Sequence, residues 1–102
     1  MKSIKRMVKL IDDELAGAEC YAEKMVESLS TDDRKSAEIY KGMANDEMRH
    51  AMTLHEKAVQ MIDNLRTIYT APQEMLDKWE TSHNDYIKRT GYIKQMIDVY
   101  KD

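Results

Sequence analysis

Residues that break helices are scarce in this chain, and they interrupt it at only two places. The 102 residues include three Gly and one Pro. The first interruption, at 30–33, reads Ser-Thr-Asp-Asp, a run of residues typical of helix N-caps. The second, at 70–72, reads Thr-Ala-Pro, and proline suits the first turn of a new helix. The pattern predicts three helices, over residues of about 3–29, 32–69 and 72–101.

Both predicted connections are short, so consecutive helices should be antiparallel neighbours. We expect one all-α domain over 1–102, an antiparallel hairpin of helices 1 and 2 with helix 3 turning back at the far end of helix 2. Each helix carries one apolar stripe with steps of three and four. Its members are Ile4, Met7, Val8, Ile11, Leu15, Ala18, Ala22, Met25 and Leu29, then Tyr40, Met43, Ala44, Ala51, Leu54, Ala58, Met61, Leu65 and Ile68, then Leu76, Trp79, Tyr86, Ile87, Ile93, Ile97 and Tyr100.

Composition and charge exclude several classes of protein. The chain is 42% hydrophobic and 34% charged, which is typical of a folded helical domain. Its net charge is −3, and acidic residues at 12–14 offset the positive charge of the basic residues at 2–9. We therefore expect no nucleic-acid binding. No apolar run suits a signal peptide or a membrane span. With Cys20 as the single cysteine, predicted to face solvent, we expect a reducing, cytoplasmic location.

Two polar residues interrupt the stripe of helix 2. Glu47 lies between Ala44 and Ala51, near the middle of the predicted buried face, where a carboxylate must be paired, protonated or metal-bound. His50 follows three residues later, about 60° round the same side of the helix. This E-x-x-H spacing is used for metal ligands on helices.

Helix 1 supplies a third candidate ligand. In a hairpin that turns near residue 31, Glu47 is level with about position 15, where Glu14 lies on the edge of the stripe. Glu19 is a weaker candidate, because it is about one turn off level and further round the helix. Tyr21 follows Glu14 by two turns on the same side. We therefore expect Glu14, Tyr21, Glu47 and His50 to converge inside the hairpin.

These two motifs and their spacing resemble the first half of the ferritin-like superfamily, which includes ferritins, bacterioferritins and rubrerythrins. The matching stretches are Glu-Leu-Ala-Gly-Ala-Glu-Cys-Tyr at 14–21 and Asn-Asp-Glu-Met-Arg-His-Ala at 45–51, within a resemblance that covers about 4–65. The resemblance implies that Glu14 and His50 each bind one metal ion, that Glu47 bridges two, and that Tyr21 lies close by. It implies a non-haem di-iron or manganese centre and, if the protein is an enzyme, oxidation of Fe(II) by oxygen or peroxide.

The chain ends before a fourth helix, so it resembles half a ferritin with an extra helix, as in the short encapsulated-ferritin type. Two copies about a twofold axis would supply four Glu and two His, which is the ligand set of a di-iron carboxylate centre. A domain this small also gains by burying surface against a copy of itself. We therefore expect a homo-oligomer, and at least a dimer, that completes the half-bundle and the site.

Helix 3 offers a second E-x-x-H, formed by Glu80 and His83. With a turn near residue 71, His83 is level with about position 60, roughly 20 Å along the helix from Glu47. We expect His83 to be a hydrogen-bonded core histidine, with metal binding by Glu80 and His83 of a neighbouring chain as the alternative. His55 lies off the face of His50 and is expected to be a surface or flanking group.

Two other functions are compatible with these residues. The chain could be a helical structural or interaction protein with a degenerate ferritin-like hairpin and no chemistry. Glu47 and His50 could also form an acid–base pair without metal. No nucleophile motif or glycine-rich phosphate loop supports this last alternative.

Overall fold

The computed structural model describes residues 2–68 and 70–100, and every regular element in these two ranges is an α-helix. Helix α1 spans Lys2–Ser30, α2 spans Arg34–Ile68 and α3 spans Gln73–Ile97. The predicted all-α class with three helices is confirmed. Helix α2 begins two residues later than predicted and α3 ends four residues earlier, while the predicted ends at 69 and 101 lie outside the described residues. None of the described helices is long and apolar enough to cross a membrane.

The turn between α1 and α2 satisfies the backbone at both helix ends. Asp32 has a φ of 60°, the left-handed conformation that commonly ends helices. Its amide donates to Leu29 O at 3.1 Å, and the amide of Asp33 donates to Ser28 O at 2.8 Å. Asp33 then caps α2 by accepting a hydrogen bond from the Ser36 amide at 3.1 Å. Hydrogen bonds from Ser36 lower the pKa of the Asp33 carboxyl.

Small side chains fill much of the interface between α1 and α2. Six alanines of these two helices have no exposed surface: Ala18, Ala22, Ala37, Ala44, Ala51 and Ala58. Small residues at a helix contact allow a short interaxial distance. Side chains of modest length on the two helices can therefore reach one another across the hairpin.

Helix α3 returns along the hairpin and packs mainly against α1. Arg89 of α3 donates from Nε to Glu19 Oε1 at 2.5 Å and from Nη1 to Asp12 Oδ1 at 3.4 Å. At the end of the described chain, the ring of Tyr100 has Arg34 and Lys41 of α2 at 4.9 and 4.6 Å from its centroid. The molecule is an elongated bundle of 55 × 19 × 17 Å.

The packing of α3 corrects part of the predicted core. Ile68 and Ile87 were expected in the apolar stripes, but they are 76% and 54% exposed. Met48, Ile62 and Met75 lie outside the predicted stripes and are buried. The difference arises because α3 covers only one side of the hairpin, so α2 buries residues toward α3 as well as toward α1, and α3 leaves an outer face uncovered.

Candidate metal centre

Two carboxylates and one imidazole meet across the hairpin. Glu14 comes from α1, and Glu47 and His50 come from successive turns of α2. One possible ligand atom from each of the three lies within 4.8 Å of the other two. His50 Nδ1 lies 3.4 Å from Glu14 Oε2. The structure thus brings together the three residues that the helical spacing and the hairpin register indicate.

This group is more open to solvent than the sequence suggests. The side chains of Glu14 and His50 are 28% and 59% exposed, and Glu47 is half-buried rather than central in a buried face. Asp12 and Glu14 lie about 160° apart round α1. Because Asp12 faces Arg89 of α3, Glu14 lies on the side of the hairpin that α3 leaves uncovered.

A glycine of α1 makes room for the Glu47 carboxylate. A Cβ atom placed on Gly17 would lie 3.1 Å from Glu47 Oε2 and 3.3 Å from Glu47 Cδ. The carboxylate therefore lies close against α1, where a larger residue would crowd it. Gly17 was not among the predicted site residues, although a glycine inside a helix costs about 1 kcal/mol relative to alanine and so indicates a packing requirement.

The two carboxylates influence one another. A hydrogen bond with Glu14, partial burial and the negative charge of Glu14 raise the pKa of Glu47, while the nearby His50 acts in the opposite direction. Without a cation between them, the negative charge of Glu14 disfavours ionisation of Glu47. A divalent cation would relieve the same repulsion.

Tyr21 lies in the same hairpin, and its ring stacks on Tyr40 of α2. The two ring centroids are 6.3 Å apart and the planes differ by 20°. Both side chains are half-buried, between the carboxylate group and the turn. The proposed role of Tyr21 beside a metal stays a prediction.

The weaker candidate ligands lie outside the Glu14, Glu47 and His50 group. Glu19 is engaged with Arg89, which also bonds Asp85 of its own helix at 3.3 Å. Glu80 lies on the exposed surface of α3. Cys20 is exposed, as predicted.

His83 pairs with His55, which corrects the prediction for His55. His55 Nε2 lies 2.8 Å from His83 Nδ1, so the hydrogen-bonded part of the prediction for His83 is confirmed, but His83 is half-buried rather than part of the core. His55 is half-buried rather than a surface group, because its ring stacks on Tyr86 at 4.0 Å and on Trp79 at 5.4 Å. Burial and the neighbouring His83 lower the pKa of His55. The available signal was the spacing of Trp79, His83 and Tyr86 on one face of α3.

Comparison of the chain with protein-family models, with curated proteins and with solved structures finds no match. The resemblance to the ferritin-like superfamily stays a prediction from the two motifs and the distance between them.

Proposed function

We propose that Glu14, Glu47 and His50 bind iron or manganese, and that the protein is a ferritin-like carboxylate metalloprotein. The observation that carries this proposal is the convergence of three ligand atoms from two helices within 4.8 Å. Two ligands of one ion, each at about 2.1 Å, are separated by at most roughly 4.2 Å. Small rotations of the three side chains would bring them to that distance.

The donor set favours this class of ion. Oxygen and imidazole donors without a thiolate suit Fe(II) or Mn(II) better than a structural zinc site. Fe(II) bound at this site would be oxidised by oxygen or peroxide. In this proposal Glu14 and His50 would each be a ligand of one ion, Glu47 would be a ligand shared between two ions, and the Tyr21 phenol would donate a hydrogen bond or an electron.

One chain supplies only half of a two-metal ligand set, so we propose that a second copy completes it. Apolar side chains that are not fully buried lie three, four or seven residues from the ligands, on the same side of the hairpin: Met7, Leu10, Met43 and Leu54. Such a surface suits a twofold contact that places the two ligand groups face to face.

The test is the iron content of protein that has been loaded anaerobically with Fe(II) and then desalted. We expect about one iron per chain in the wild type, as for a two-metal centre shared by two chains, and none in Glu47→Gln. Glu38→Gln, an exposed change on the same helix, is the matched control and should retain iron. Equal iron in Glu47→Gln and wild type would disprove the proposed site.

The same variant separates loss of metal from loss of fold. Because the pKa of Glu47 is raised in the folded state, ionisation of this carboxyl at neutral pH opposes folding when no metal is present. In EDTA at pH 7, Glu47→Gln should therefore be more stable than wild type. The difference should vanish well below the ordinary Glu pKa of 4.5, where the carboxyl is protonated in both states. Thermal unfolding followed by circular dichroism measures it, and a less stable variant would contradict the repulsion.

A further inference from the structure

Two of the three histidines form a second group, away from the carboxylates. His55 of α2 and His83 of α3 point ring nitrogens at each other, with Nε2 and Nδ1 separated by 2.8 Å. One nitrogen must carry a proton for a direct hydrogen bond to form between them. If both nitrogens are unprotonated, each has a lone pair that a metal ion can accept.

Aromatic side chains hold these two rings in place. The His55 ring lies nearly parallel to that of Tyr86, at an angle of 7°, and Trp79 covers both imidazoles at 5.4 and 6.1 Å. Both histidines are half-buried, so the pair is not enclosed in the core. Ligands held by packed neighbours bind a metal ion with less reorganisation.

We propose that His55 Nε2 and His83 Nδ1 together bind a divalent ion that prefers imidazole, of the zinc, copper or nickel class. With metal–nitrogen bonds of about 2.05 Å, the separation of 2.8 Å corresponds to an angle of roughly 85° at the ion. This angle suits two adjacent positions of a square or octahedral ion, and an opening of about 0.5 Å would give the tetrahedral angle of zinc. Water fills the remaining positions, and the ion links α2 to α3.

The composition of the chain allows a direct test. A protein with Glu47→Gln, His50→Gln and Cys20→Ser lacks the carboxylate site and the free thiol, and it keeps only the two histidines of the pair. Zinc chloride is added to this protein while imidazole ¹⁵N resonances are recorded. We expect His55 Nε2 and His83 Nδ1 to shift together and to saturate at one ion per chain. Resonances of these two nitrogens that do not respond to zinc would overturn the proposal.

A thermal measurement in the same background gives a second readout. Excess zinc should raise the unfolding temperature by roughly 5 °C or more, because an ion bound only by the folded state stabilises it. The rise should disappear with an added His83→Gln and persist with Lys88→Gln, an exposed change on the same helix. A rise that survives His83→Gln would overturn the proposal. The resonance experiment leaves the pair intact, so it decides the question even if His83→Gln does not fold, and neither readout depends on the iron site.

Discussion

At position 17, α1 presents only a hydrogen atom to α2, and the carboxylate of Glu47 occupies the space. The positions of Glu14, Glu47 and His50 could be predicted because they follow from the helical period and from a hairpin register set by one short turn. The role of Gly17 could not, because it depends on how closely two backbones approach. The pairing of His55 with His83 could not be predicted either, because it depends on how α3 packs against the hairpin.

Gly17→Ala should separate stability from metal binding. Alanine favours a helix over glycine by about 1 kcal/mol, whereas its Cβ would displace the flexible end of Glu47. We expect unchanged or higher stability in EDTA and reduced iron retention after anaerobic loading. Gly42→Ala is the matched control, since a Cβ there meets nothing within 4 Å and iron retention should not change. Equal iron retention in the two variants would show that Gly17 does not position Glu47.

Among the elements, α1 makes the larger contacts with both of the others, because it packs against α2 on one side and α3 on another. The two interruptions of the sequence were sufficient to predict three helices and an antiparallel hairpin. They could not indicate which side of the hairpin α3 covers, because apolar residues on several faces of α2 satisfy the same spacing. The ion pairs of Arg89 with Asp12 and Glu19 lie at that α1–α3 contact.

Arg89→Gln should weaken the contact between α3 and α1. The Arg89 side chain is 24% exposed, and burial raises the pKa of Asp12 while the charge of Arg89 opposes that rise. Loss of the guanidinium leaves two partly buried carboxylates without their cation, at a cost of about 1–2 kcal/mol in unfolding free energy. Urea denaturation measures this cost. Lys78→Gln removes only an exposed ion pair with Glu74 and should change stability by less than about 0.5 kcal/mol. Equal effects of the two changes would contradict a specific role for Arg89.

In the molecule as a whole, one long side of the hairpin carries the carboxylate group together with partly exposed apolar residues, and α3 occupies another. The sequence does not indicate which side of the hairpin α3 covers. The small size of the domain and its half set of ligands nevertheless both predict self-association. A dimer through the uncovered side would bury Leu10, which is 47% exposed and lies one turn before Glu14.

Leu10→Lys should weaken the dimer without unfolding the chain. A lysine at this place would bring a charge into the twofold contact, and we expect at least a tenfold weaker association, or about 1.4 kcal/mol. Analytical ultracentrifugation across a concentration series measures it. Val99→Lys, a comparable change just after the end of α3 at a residue that is 55% exposed, is the control and should leave association unchanged. A wild-type chain that stays monomeric would contradict a metal centre shared by two chains. A dimer that forms equally well in chelator and holds no iron would favour the alternative of a helical structural or interaction protein without chemistry.

The compact turn at Asp32 and Asp33 has a consequence for synthesis of the chain. It keeps Glu14 and His50 within 36 residues of one another, on two helices that pair through local contacts. Local contacts form quickly, and the N-terminal part of a chain leaves the ribosome first. The three carboxylate and imidazole ligands can therefore meet before α3 packs against the hairpin. By contrast, the ion pairs of Arg89, separated by 70 and 77 residues, must wait until α3 has emerged.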